Sequence, residues 1–266
     1  MEIKNFTIYL ISSILIIIGL IIAIITGFFL YDSVIDNEII VAQARANDII
    51  TLFIVVPLFI ISLIFSKKGS FKALIIWMGC LIYCFYAYMY YIFQAPYNPL
   101  LLLFIGITAL SFFSLMGLYK KLNKEEIEPY ISDSMPYNIL GIFLICMGCF
   151  LTILWLREIV TGLITNIDPP QVADYNKHAI YGIDLTFFVP TSTLLGVMVI
   201  KKNPVSTFIA GAFLVKVCTY GAAVALLNLF MINIGYTTNA YVLPIMTVYV
   251  IIAIICTIKY FQNIET

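Results

Sequence analysis

The sequence predicts an all-α membrane protein: a polytopic bundle of eight transmembrane helices built as two parallel four-helix repeats. Three observations carry this reading. The 266 residues are 63% hydrophobic and 11% charged, where a soluble domain carries about 25% charged residues, and the mean hydropathy is +1.07. The apolar residues fall into eight long runs that do not alternate, which excludes a β-barrel. Features of the first half return in the second. The formal net charge is zero, so there is no basic face for nucleic acid.

A helix needs about 20 apolar residues to cross a hydrocarbon core of about 30 Å, and it satisfies its own backbone there. The runs are 8–30, 49–65, 73–93, 100–118, 137–156, 180–200, 207–232 and 241–258. The first is too long for a signal-peptide core and reads as a retained span. Run 2 carries Pro57 and ends in Lys67-Lys68. Run 3 carries the tyrosine-rich stretch YCFYAYMYYIF. A tight turn at 94–101, QAPYNPLL, leads into run 4 through Pro96, Asn98 and Pro99. Run 5 contains Cys146 and Cys149 and ends near Glu158. Run 6 carries Pro190 and precedes Lys201-Lys202. Run 7 contains Lys216.

Lysine and arginine set orientation. With the spans alternated, one side receives Lys4, Lys67, Lys68, Lys72, Lys120, Lys121, Lys124, Lys201, Lys202 and Lys259. The other receives Arg45, Arg157 and Lys177. This predicts a multi-pass protein of the cell membrane with both termini cytoplasmic. The outer side then holds Asp32, Asp36, Glu38, Asp48, Glu158, Asp168, Asp174 and His178.

Stretches 48–93 and 184–230 resemble each other. Each begins with an aspartate at the outer end of a span, places a proline mid-span, ends the span in paired lysines and turns into another span. Spans 1–4 and 5–8 are therefore read as two copies with the same orientation, related by an axis along the membrane normal. The division is 1–124 as repeat 1, 125–136 as a cytoplasmic linker and 137–266 as repeat 2.

Two readings of Asp48 and Asp184 stay open. Each suits an N-cap before an apolar run, Asp48 pairing with Arg45. Alternatively Arg45, Asp48 and Asp184 line the mouth of a cavity, since ionisable groups at membrane depth are functional candidates. Lys216 lies about nine residues into its span, roughly 14 Å deep and near the midplane. A charge facing lipid there costs about 3 kcal/mol or more, so Lys216 is expected to face the bundle interior. Tyr83 and Cys84 sit at similar depth and Tyr86 continues their helical face outward; Tyr83 or Tyr86, or a polar cavity from the outer side, is the expected partner. Tyr90 and Tyr91 read as an interfacial aromatic belt. Cys146 and Cys149 read as small residues for close helix packing. No zinc, nucleophile-elbow or phosphate-loop pattern occurs, and neither metal nor cofactor is expected.

At ARANDIITL, YNPLLLLFIGI, LWLREIV and LVKVCTYG the chain resembles a family of small prokaryotic polytopic membrane proteins of about eight spans. The resemblance covers nearly the whole length. It implies the membrane bundle and no substrate or activity, and it points to Arg45, Asp48, Asn98, Glu158, Asp184 and Lys216 as the polar positions to watch.

The leading functional reading is transport or permeation of a small solute or ion through an outward-facing polar vestibule ending at Lys216. The alternative is a membrane-embedded enzyme acting on a lipid or isoprenoid-type substrate, with Asp48, Glu158 and Asp184 as acid/base groups at the outer boundary. A sensor or accessory subunit is the third. The enzyme predicts carboxylates that converge within about 4–6 Å; the transporter predicts a polar path to Lys216. The candidate site residues are Arg45, Asp48, Tyr83, Tyr86, Asn98, Glu158, Asp184 and Lys216, and the expected partners are membrane lipids and a small solute or lipid substrate.

Overall fold

The computed structural model describes residues 6–34, 38–95, 97–167, 178–233 and 242–265. Lys4, Asp36, Pro96, Asp168, Asp174 and Lys177 lie outside these residues, as do the side chains of Asp32 and His178. The described residues form α1 (Phe6–Val34), α2 (Glu38–Ile50), α3 (Val56–Lys67), α4 (Phe71–Gln94), α5 (Leu101–Tyr119), a short α6 (Lys124–Ile127), α7 (Tyr137–Thr165), α8 (His178–Ile183), α9 (Val189–Ile200), α10 (Pro204–Asn233) and α11 (Val242–Gln262). No strand occurs among them; one isolated bridge joins Ile131 and Ile264.

Among the described residues seven spans are long and apolar enough to cross a membrane: Phe6–Tyr31, Ile40–Lys67, Phe71–Gln94, Leu101–Tyr119, Tyr137–Thr165, Ala179–Ile200 and Pro204–Ile232. The eighth apolar run corresponds to α11, whose stretch Thr247–Gln262 is shorter than these. The chain is a multi-pass integral membrane protein. Its outside is apolar: Phe28 is 68% exposed and Leu102 81%, a surface that suits acyl chains and not water.

The centre is α4, which encloses Trp77, Tyr83 and Tyr88. It packs on α3 and α5 and is crossed by α10. The crossing is close because Gly79 has no side chain: a Cβ there would lie 2.6 Å from the Val215 Cβ and 2.8 Å from the Ala212 carbonyl oxygen. In lipid, where helices gain nothing from leaving water, such small-residue contact is what holds them together. The Trp77 indole donates to Ser13 Oγ at 3.0 Å and ties α1 to this centre.

Spans 2 and 6 are each interrupted by one π-helical segment, Thr51–Val55 between α2 and α3, and Asp184–Phe188 between α8 and α9. Pro57 and Pro190 follow each at the second residue of the next helix. Proline offers no N–H to the preceding turn and its ring crowds the carbonyl there, so one surplus residue in that turn relieves the clash. Because helix is continuous through both segments, Asp48 and Asp184 are not N-caps. Helix α2 starts at Glu38, in the polar stretch EIIVAQARAND, well before hydropathy rises at Ile49.

Helices α3 and α9 end alike. Gly69 and Lys202 both adopt positive φ, 88° and 56°, and close the turns into α4 and α10. Ser70 Oγ then accepts from the Ala73 N–H at 3.3 Å, and Asn203 Oδ1 from the Ser206 N–H at 2.9 Å, satisfying amides at each new helix start. Tyr130 stacks on Phe71 with centroids 4.3 Å apart, and the Glu265 N–H donates to the Tyr130 carbonyl at 2.8 Å. The segment after α6, the residues after α11 and the α3–α4 turn therefore meet at one end of the bundle.

Candidate functional site

Helix α4 presents Tyr83, Tyr86 and Tyr90 along a face set by three- and four-residue spacing. Helix α10 brings Lys216 against it. Lys216 is 1% exposed, and its Nζ lies 3.3 Å from the centre of the Tyr86 ring, 4.1 Å from that of Phe188 and 4.9 Å from that of Tyr220. Ring faces are the negative part of an aromatic quadrupole, so this is a cation–π enclosure. Among the described residues Nζ has no hydrogen-bond partner.

Asp184, the first residue of the second π segment, sits beside this cage and is 5% exposed. Its Oδ1 accepts from the Tyr86 hydroxyl and from the Tyr90 hydroxyl at 2.9 Å; its Oδ2 accepts from the Trp155 indole at 2.8 Å. Tyr86 thus serves both ionisable side chains, its hydroxyl on the Asp184 carboxyl group and its ring face on the Lys216 nitrogen.

A second network lies on the neighbouring face of α4. The Tyr83 hydroxyl donates to Asn47 Oδ1 at 2.7 Å and lies 2.7 Å from Thr51 Oγ1. The Asn47 amide donates to the Tyr91 hydroxyl at 3.3 Å, and that hydroxyl donates to Asp48 Oδ1 at 3.2 Å; Tyr31 bonds the same carboxylate. A narrow cleft of about 50 Å³, space for a few waters, touches both networks. Gln43, Gln94 and Asn98 line it, as do Tyr90, Tyr91 and Tyr220.

No protein-family model, curated protein or solved structure matches the chain.

The site is therefore read from its own geometry. Of the sequence-predicted residues, Tyr86, Asp184 and Lys216 come together. Asp48 and Tyr83 form the adjoining network, and Asn98 lines the cleft and holds its turn by accepting from the Leu100 N–H at 2.9 Å. Glu158 stands apart, accepting from the Tyr181 hydroxyl at 2.7 Å; the Tyr181 ring packs on Trp155 at 5.2 Å. Arg45 is exposed on α2. Of the two tyrosines expected as partner, Tyr86 meets Lys216, with its ring and not its hydroxyl, while Tyr83 is bonded to Asn47 and Thr51. Two expectations are corrected. Tyr90 and Tyr91 are not an interfacial belt, because their hydroxyls serve Asp184 and Asp48. Cys146 and Cys149 are exposed free thiols; the close packing belongs to Gly148 between them, whose Cβ would lie 2.5 Å from Thr193 Oγ1.

Trp155, Phe188 and Tyr220 escape the sequence reading. Tyr220 carried a signal, since it lies one turn after Lys216 on the same helical face. Trp155 carried a weaker one, three residues before Glu158. Among the described residues no group of three His, Cys, Asp or Glu side chains is placed to hold a metal. What the arrangement offers is a carboxyl group held by three donors and a lysine nitrogen that has no acceptor among the described residues.

Proposed function

We propose that the protein transports a small solute or ion, taken in through the cleft between α2, α4 and α10 and met at its inner end by Lys216. One observation carries this: a fully buried lysine nitrogen with no acceptor among the described residues, beside a cleft that touches Tyr90 and Tyr220 of its surroundings. A group left in that state has hydrogen-bonding capacity to offer a passing acceptor, and natural membrane proteins keep intramembrane charge for a role. The enzyme reading wants converging carboxylates, whereas Asp48, Glu158 and Asp184 each bond a different set of side chains.

In this reading the chain has eight spans with both termini cytoplasmic, and α11 completes the count. Two parallel repeats underlie it. The interval between Pro57 and Pro190 also separates Thr51 from Asp184, Gly69 from Lys202, Ser70 from Asn203 and Phe71 from Pro204. The paired positions share their roles as π-segment start, left-handed turn residue, helix cap and first helical residue. The same interval pairs Gly79 with Ala212, which are in contact where α4 crosses α10, as expected of equivalent residues near a two-fold axis. Thr51 and not Asp48 is then the counterpart of Asp184, and Tyr83 that of Lys216. The first repeat keeps a hydrogen bond between hydroxyls, Thr51 to Tyr83 at 2.7 Å, where the second keeps an acidic and a basic side chain.

The test is reconstitution of purified wild type and Lys216→Met in liposomes, with flux measured for a panel of inorganic ions and small organic anions. The wild type is expected to move at least one of them above empty liposomes, and the variant, equally folded, to lose that flux. Equal flux through both proteins would overturn the reading.

A further inference from the structure

The two repeats differ where their first and third helices meet. In the second, α7 and α9 touch backbone to backbone: a Cβ on Gly141 would lie 2.6 Å from the Gly196 carbonyl oxygen, and one on Gly196 would lie 2.6 Å from that of Gly141. Counted by the interval between the two prolines, the first-repeat position matching Gly196 is Leu63. A leucine cannot enter such a contact, so α1 and α3 are held apart.

The gap is an open groove of about 720 Å³ walled by Leu10, Ile14, Ile18, Ile60 and Ile64, with Leu63 at its base. At its end stand Lys67 and Lys68, both exposed, the latter with its Nζ 5.3 Å over the Phe65 ring. From Leu10 to Ile18 the groove runs roughly 12 Å along the helix, most of the depth of one leaflet's hydrocarbon. Its walls are branched and apolar, and its only charges are two cations at the headgroup end.

From this we infer that the α1–α3 groove is a binding site for an anionic phospholipid, with one acyl chain between the helices and the phosphate on Lys67 and Lys68. An apolar slot alone would take any lipid. The lysine pair makes the choice, because each basic residue near the surface favours an anionic headgroup by about 1 kcal/mol. The second repeat has its own pair, Lys201 and Lys202, but α7 fills the matching slot, so no equivalent site exists there. The inference does not depend on the transport reading.

Native mass spectrometry of the delipidated protein, titrated separately with phosphatidylglycerol and phosphatidylcholine, tests it. The wild type is expected to retain one phosphatidylglycerol in preference to phosphatidylcholine. Lys67→Gln/Lys68→Gln, at exposed positions that leave the fold intact, should weaken phosphatidylglycerol binding about 30-fold, to the level of phosphatidylcholine. Lys201→Gln/Lys202→Gln should leave it unchanged. Equal retention of the two lipids by the wild type, or equal losses in the two double variants, would overturn the assignment.

Discussion

Lys216 and Tyr86 face each other with the ammonium nitrogen 3.3 Å from the ring centre, and the hydroxyl of the same ring is bonded to Asp184. One aromatic side chain thus lies between a buried lysine and a buried aspartate. Lys216 has no hydrogen bond of its own among the described residues, whereas Asp184 has three donors.

This arrangement separates the two contributions of Tyr86. Tyr86→Phe keeps the ring face on Lys216 and removes one of three donors to Asp184; it is expected to cost about 1–2 kcal/mol. Tyr86→Leu removes the face as well and should cost about 2 kcal/mol more, the scale of a desolvated cation–π contact. Unfolding in detergent measures both, and equal losses in the two variants would count against the cation–π role.

Asp184→Asn is expected to be more damaging than Lys216→Met. An amide cannot accept at both of its terminal atoms, so the Trp155 indole or the two hydroxyls lose an acceptor, at about 1–3 kcal/mol, and the ammonium loses its neighbouring anion. The double variant Asp184→Asn/Lys216→Met should recover at least about 1 kcal/mol relative to additivity. Strictly additive losses in thermal unfolding would mean that the two charges do not interact.

Gly79→Ala should weaken the α4–α10 crossing by about 1–3 kcal/mol, because the added methyl meets the Val215 Cβ and the Ala212 carbonyl and one of the two helices must move. Gly79→Val should abolish the folded protein. Expression and melting of the two variants check the order, and a neutral Gly79→Val would show that the helices do not cross there.

Fusion of a reporter active only in the cytoplasm to the C-terminus tests the eight-span reading. Ten basic residues on one side against three on the other predict an active fusion. A silent fusion of a well-expressed protein would place the C-terminus on the outer side and overturn this topology.

What the sequence revealed follows from what each residue cannot hide. Lys216 was legible because no lysine at that depth can face lipid cheaply, and Tyr86 because helical spacing placed it on the face that passes that level. The way they meet was not legible: a tyrosine's spacing does not say whether its ring or its hydroxyl reaches the neighbour. Tyr90 and Trp155 were misjudged or missed because residues that serve an interface and residues that hold a buried carboxylate have the same amphipathic chemistry. Asp48 was open to reading as a cap because hydropathy marks where hydrocarbon begins and carries no information on where the helix begins. The π segments left only their prolines as a trace.

Those segments mark where a shift of helical register in spans 2 and 6 would begin. A π turn holds one residue more than an α-helix needs, and Pro57 and Pro190 bar it from travelling further along the chain, because a proline cannot donate the bond that the α-helical register would require. Retreat in the other direction is unobstructed by proline. One such step would screw the intervening residues by about 100° around the axis, swinging Asp184 clear of the Trp155 indole and the tyrosine hydroxyls while leaving the helices above and below in register. Spans 2 and 6 are in this sense screws whose stop is a proline and whose pointer, in span 6, is the side chain of Asp184.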